Sequence, residues 1–191
     1  MSKKWVTFFS RTGSEIVEVS KKLHRVPDLI VTNKDLDNDP PCEAFKKFQR
    51  KYAVQVHRLS PKPSLDEYQF MLDQYKYIFD DCIITLHGYL RIIPAFLCNK
   101  FCILNSHPGD IVNYPFLKGF NPQEKAFNNQ LKTSGVVLHE VVPEVDSGRI
   151  ISLRTTSIEG LTLDEVYDKL HIISIQQWCD VLKEYLGETN A

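Results

Sequence analysis

Residues 101–110 read FCILNSHPGD, and this stretch decides the fold. Phe101, Cys102, Ile103 and Leu104 form an unbroken apolar run, as a strand covered on both faces requires. Asn105 and His107 follow at a spacing of two, so they project to the same side as long as extended geometry lasts. Pro108 restricts His107 to an extended conformation and helps fix the direction of its ring. An amide and an imidazole at the carboxyl end of a central strand stand where an open α/β sheet binds its ligands.

Outward from this strand the chain alternates. Strand-like runs lie at 4–9 (KWVTFF), 28–32 (DLIVT), 54–59, within 77–87 around CIITL, at 134–142 and at 148–158. Helical spacing marks 15–23, where Ile16, Val19 and Leu23 recur, then 43–52, 65–75, 95–98, 123–130 and 163–186, the last with Thr162 as its cap. Residues 33–41 and 108–122 carry loop chemistry. The alternation predicts an α/β fold with a mostly parallel sheet. The last two strands pair naturally across PEVDSG (143–148). A length of 191 residues fits a single domain with a sizeable core.

Composition narrows the function classes. Hydrophobic residues at 43% and charged residues at 25% are those of an ordinary globular chain. A formal charge of -1 gives no general attraction to nucleic acid or to an anionic membrane, so an anionic ligand needs a local site. The basic clusters Lys21, Lys22, Arg25 and Lys46, Lys47, Arg50, Lys51 read as solvated helix faces. No apolar run is long enough to span a bilayer. The five cysteines (Cys42, Cys82, Cys98, Cys102, Cys179) lack zinc-ligand spacing, and no secretory segment precedes the first strand. Reduced thiols, a cytoplasmic location and no metal are the expectation.

Two clusters carry chemistry. Arg11, Thr12, Gly13 and Ser14 connect the first strand to the first helix, where free amides and the helix dipole favour an anion. The plainer reading is a tight turn with Ser14 as the helix cap. In the second cluster, Asn105 can donate to a developing oxyanion, His107 can donate or relay a proton, and Asp146 on the PEVDSG loop can stabilise an imidazolium. Each also has a packing reading: a strand-end cap, a satisfied buried histidine, a turn with Gly148. His139, at the end of 135–139, reads first as structural, with a second polar contribution to the site as the alternative, and His24, His57, His87 and His171 read as surface or packing residues.

The ordered set NSHP (105–108) and GVVLHEVVPEVDSGRII (135–151) resembles the 10-formyltetrahydrofolate-dependent formyltransferases. The similarity extends through FSRTGSEIVEVSKKL (9–23), IVTNKDL (30–36) and residues 81–110. It implies a Rossmann-like, mostly parallel twisted sheet with helices on both faces. Residues 1–100 would form the substrate and phosphate side, and residues 101–191 the catalytic and folate-binding side. The resemblance implies formyl transfer from 10-formyltetrahydrofolate to the amine of a small phosphorylated acceptor, glycinamide ribonucleotide or a related nucleotide or sugar amine, as in purine biosynthesis. Asn105, His107 and Asp146 match the catalytic trio. Leu90, Arg91, Ile92, Ile93, Val141, Val145 and Asp146 fall at folate-binding positions, and Arg11, Thr12, Gly13 and Ser14 at phosphate-binding ones. The implied partners are the amine acceptor and the reduced folate, with no nucleic acid, membrane or metal, and a homodimer is an open arrangement. Hydrolysis of the formyl-folate and an inactive folate- or nucleotide-binding module are the alternatives.

Three departures concern the acceptor. Members acting on glycinamide ribonucleotide carry GNGSN where this chain has Arg11-Thr12-Gly13-Ser14-Glu15, and Glu15 would repel a phosphate unless Arg11 compensates. Their PSLLP becomes Pro108-Gly109-Asp110-Ile111-Val112 here. Their ribose-gripping glutamate on the late helix falls at Ser174. The transfer machinery is expected to be retained and the acceptor pocket rebuilt.

Overall fold

Seven strands form one sheet in the order β3-β2-β1-β4-β5-β6-β7. The computed structural model describes residues 3–187. In chain order the elements are β1 (Lys4–Phe9), α1 (Ser14–Leu23), β2 (Leu29–Thr32), α2 (Glu43–Tyr52), β3 (Val56–Arg58), α3 (Leu65–Gln74), α4 (Lys76–Phe79) and β4 (Cys82–Leu86). There follow α5 (Ala95–Lys100), β5 (Cys102–His107), a 3-10 turn (Pro115–Leu117), α6 (Pro122–Asn128), β6 (Thr133–Glu140), β7 (Ile150–Ser157) and α7 (Leu163–Leu186). Strands β1 to β5 run parallel, while β6 and β7 are antiparallel. The α/β, mostly parallel architecture is the one the sequence predicts.

Period-two alternation sorts the core. Val6 and Phe8 of β1 join Leu29, Val31 and Ile84 under α3, α4 and α5. Trp5 faces the other way, with Ile83 and Leu104 against α1 and α7. Both faces of the central strands are therefore covered, which accounts for their unbroken apolar runs. Burying each large side chain such as Trp5, Phe8 or Phe9 contributes roughly 2–3 kcal/mol before the cost of ordering the chain. Several boundaries differ from expectation, β3 being shorter (56–58 against 54–59) and α5 longer (95–100 against 95–98). Strand β5 continues through His107, so Asn105 and His107 both lie within it. The four-residue helix α4 occupies what reads in sequence as a lead-in to β4.

The strand order places the site. From β1 the chain steps outward to β2 and β3, then returns beside β1 as β4 and continues in the opposite direction. A crevice opens where such a sheet reverses its winding, beyond the carboxyl ends of β1 and β4. The segments leaving those ends begin at Ser10 and His87, the two flanks of the cleft described next. Helix α7 crosses the same region, started by a capping box between Thr162 and Glu165 and stopped by Gly187 in the left-handed conformation.

Candidate active site

A cleft of about 610 Å³ lies beyond the carboxyl ends of β1, β4 and β5. It is lined by every candidate catalytic, folate-binding and phosphate-binding residue read from the sequence: Arg11 to Ser14, Leu90 to Ile93, Asn105, His107, Val141, Val145 and Asp146. A volume of this order suits a small-molecule ligand.

At one end, β5 presents Asn105 and His107. Asp146 approaches from the loop after β6, with Oδ2 3.2 Å from His107 Nδ1. The Gly119 amide donates to the same oxygen at 2.8 Å. Asp146 holds a left-handed backbone with φ 49, a conformation tolerated by aspartate and concentrated at functional sites. Two residues on, Gly148 has no room for a side chain, since an added Cβ would come within 1.9 Å of Glu140 O. His107 is 5% exposed, and its Nε2–H donates to the Leu117 carbonyl at 2.9 Å. That bond assigns the proton of a neutral ring to Nε2 and leaves the Nδ1 lone pair facing the Asp146 carboxylate.

His139 lines this end of the cleft, as its alternative reading as a second polar contributor has it and not as the first, structural one. Its Nδ1–H donates to the Glu140 carbonyl at 2.8 Å, so in the neutral ring Nε2 accepts from Asn105 Nδ2 at 3.2 Å. Nε2 also lies 3.5 Å from Asp146 Oδ1. His139 thereby orients the Asn105 amide and leaves its second N–H for another acceptor. The antiparallel register that pairs Asn105 with His139 produces this contact. Burial pushes the His107 ring below its ordinary pKa, against the opposing pull of Asp146 and the Leu117 carbonyl. Burial raises the Asp146 carboxyl, but the bond His139 donates when its Nε2 is protonated, the attraction of a protonated His107 and the Gly119 amide outweigh it and hold the group below its ordinary range. The two downward shifts favour a neutral imidazole against an ionised carboxylate, a pair one proton short of a salt bridge.

The middle of the cleft is apolar. Leu90, Ile92 and Val145 expose 38%, 74% and 55% of their surfaces. Ile93 is buried in the core, so its side chain supports the wall, and the Arg91 guanidinium is drawn to the Pro61 carbonyl at 2.8 Å. The Leu90 amide is taken by Ser10 Oγ, whereas those of Arg91, Ile92 and Ile93 meet no protein acceptor among the described residues.

At the other end, Gly13 starts α1 at φ 73, and an added Cβ would lie 2.5 Å from the Phe45 ring. Gly13, rather than Ser14, is therefore the N-cap. Ser14 is the first helical residue, and its hydroxyl meets Thr12 Oγ1 at 2.9 Å. Glu15 turns away from the loop. Its Oε2 accepts from His87 Nδ1 at 2.8 Å and its Oε1 from Ser174 Oγ at 2.5 Å. His87 is thus neither a surface residue nor a simple packing residue: it is buried, and its Nε2 lies 2.9 Å from Thr85 Oγ1. His171 on α7 lines the same end of the cleft, beside Tyr167 and Asp168. Position could have revealed His87, since it directly follows the apolar run CIITL of β4 at the carboxyl edge of the sheet.

Comparisons with known proteins bear on the family and the fold. A phosphoribosylglycinamide formyltransferase of Dictyostelium discoideum is 33% identical over 101 residues, covering 47% of this chain and 48% of that protein. The enzyme of the same name from Bacillus subtilis (strain 168) is 30% identical over 111 residues, covering 56% of this chain and 55% of that protein. The matches therefore span about half the length of these curated relatives. A crystal structure of phosphoribosylglycinamide formyltransferase from Bacillus halodurans superposes with a TM-score of 0.78 at 25% identity, covering 98% of this chain and 97% of that one. The family model described as formyl transferase matches residues 4–182, and the chain belongs to that family.

Proposed function

We propose that this protein is a single-domain, cytoplasmic enzyme that transfers the formyl group of 10-formyltetrahydrofolate to the amine of glycinamide ribonucleotide. The reading is carried by one observation: His107 and Asp146 in contact at 3.2 Å beside Asn105, at the end of a cleft that begins in a cationic, hydroxyl-bearing loop. The exposed Leu90, Ile92 and Val145, with the unpaired amides of 91–93, suit a flat heteroaromatic ring with hydrogen-bonding edges. Arg11, the Thr12 and Ser14 hydroxyls and the first-turn amides of α1 suit an anionic group on the acceptor.

In the proposed reaction the acceptor nitrogen bonds to the formyl carbon, and the carbonyl oxygen becomes an oxyanion. The free N–H of Asn105 donates to it. The proton leaving the attacking amine is caught between His107 Nδ1 and Asp146 Oδ2. The imidazolium so formed adds positive charge beside the oxyanion. When the intermediate collapses, the bond from carbon to the folate nitrogen breaks, and the same proton passes to that nitrogen. The product is a formamide and free tetrahydrofolate.

The test is His107→Ala, assayed by formyl transfer from 10-formyltetrahydrofolate to glycinamide ribonucleotide. Turnover is expected to fall by roughly 10³-fold while folate affinity, measured separately, persists. Unchanged turnover would remove the mechanism. Formate release by the unaltered enzyme at the same rate without acceptor would replace transfer with hydrolysis.

A further inference from the structure

Glu15 is a half-buried carboxylate in the cleft to which formyl transfer gives no role. Its side chain is held from two sides. Ser106 Oγ and Ser174 Oγ are 2.7 Å apart, and because Ser174 donates to Glu15, Ser106 donates to Ser174. On the other side His87 Nδ1–H donates to Glu15, and the His87 ring is braced by Thr85 Oγ1 and lies tilted against Trp178, with ring centroids 4.7 Å apart. Thr85 in turn accepts the Trp5 indole N–H at 2.9 Å. The carboxylate is anchored to the sheet through β4 and β5 and to helix α7 by these bonds.

Burial raises the Glu15 carboxyl, but the bonds from His87 and Ser174 and the His87 and His171 charges outweigh it, so the group is held ionised. The two bonds take two of its roughly four acceptor positions. Its side chain keeps 15% exposure, and the residue lines the cleft between the anion-favouring loop and the transfer end. A fixed carboxylate accepts hydrogen bonds from O–H or N–H groups and repels phosphate oxygens. An anionic group is thereby confined to the rim at Arg11, Thr12 and Ser14, and what passes Glu15 must present donors.

We propose that Glu15 determines acceptor specificity: it accepts hydrogen bonds from the hydroxyls of a sugar-bearing acceptor whose anionic group stays at the Arg11 rim. This rests on the reading of the cleft as an amine-acceptor site. It also changes the meaning of Glu15, which the sequence presents as a repulsive intruder in a phosphate loop. Repulsion persists, and it sets the register of the ligand.

The test is calorimetric titration of the unaltered protein and of Glu15→Gln with methyl ribofuranoside 5-phosphate and with its 2,3-dideoxy counterpart. The glutamine amide can still accept from His87 and donate to Ser174, so the variant keeps its anchorage, and thermal melting checks that it is folded. The unaltered protein is expected to prefer the diol by roughly tenfold to a hundredfold. In Glu15→Gln the preference should shrink to about threefold or less. Arg11→Ala should weaken both ligands and leave their ratio unchanged. An unaltered protein that does not prefer the diol, or a Glu15→Gln ratio equal to the original, overturns the proposal. Formyl transfer with no diol preference would defeat this inference alone. Diol preference that depends on Glu15 without formyl transfer would defeat the proposed reaction alone.

Discussion

The two ends of the cleft use the same residue types to opposite effect. At the transfer end one carboxylate, Asp146, faces two imidazoles, and the nearer of them turns a lone pair toward it at 3.2 Å. At the acceptor end one carboxylate, Glu15, receives an N–H from His87 and an O–H from Ser174. The first arrangement is one proton short and therefore able to take one. The second has a donor for each oxygen and therefore holds still. Histidine beside an acid is a catalyst or a brace according to the count of protons between them. The count is set by what occupies the far side of each ring: the Leu117 carbonyl for His107, and the Thr85 hydroxyl for His87.

The sharpest break of this contrast is Asp146→Asn. Asparagine fills the same space, cannot take the amine's proton, and removes the charge that pulls the His107 ring upward. We expect the turnover rate to fall by roughly 10²- to 10³-fold. The pH profile of the unaltered enzyme gives the matching sign. The working state is neutral His107 with ionised Asp146, and both groups are shifted downward, so the state survives to a pH below the ordinary histidine value. The acid limb of the rate should lie below the ordinary histidine value of about 6.5. A plateau that begins only above that value, or an Asp146→Asn enzyme of undiminished rate, would show that the pair is not the proton acceptor.

The acceptor end can be broken separately with Gly13→Ala. The added methyl meets the Phe45 ring at 2.5 Å, and the backbone is left at φ 73. The strain of a left-handed alanine is about 1–2 kcal/mol before the clash, which corresponds to a fall in melting temperature of roughly 2–8 °C in a chain of this size. Because the loop beginning α1 shifts while β5 does not, KM for the acceptor should rise more than the turnover rate falls. Equal effects on both would mean that the two ends are mechanically coupled.

The sequence makes the transfer end more legible than the acceptor end, and the reason is separation along the chain. Asn105 and His107 lie on one strand, and alternation alone puts them on one face. His139 stands opposite Asn105 only because β6 returns antiparallel in one particular register, which local pattern does not specify. Glu15 finds His87 across 72 positions and Ser174 across 159, so its charge reads as unpaired until the fold closes. Helix α4 escapes notice because four residues are too few to show helical periodicity. The long, strongly patterned segments, from KWVTFF to the helix after Thr162, are where sequence and structure coincide, because burial on both faces of the sheet leaves them little choice of conformation.

The smallest effect is the cleanest control. Thr162 caps α7 by accepting from the Glu165 amide, and the Glu165 carboxylate returns a bond to the Thr162 backbone. Thr162→Ala removes the side-chain half of that box, at a cost of about 1 kcal/mol. A chain of this length should melt roughly 2–4 °C lower. The cap lies more than two turns before His171 and Ser174, and α7 is pinned between those points by buried Val166 and Leu170. Fraying of the first turn should therefore stop short of the cleft, leaving acceptor KM, turnover rate and diol preference as they were. If KM rises with the loss of the cap, the acceptor end depends on the whole length of α7 and the brace around Glu15 is softer than its hydrogen bonds imply. If it does not, a shift seen in Glu15→Gln or Gly13→Ala can be assigned to the site rather than to general loss of stability.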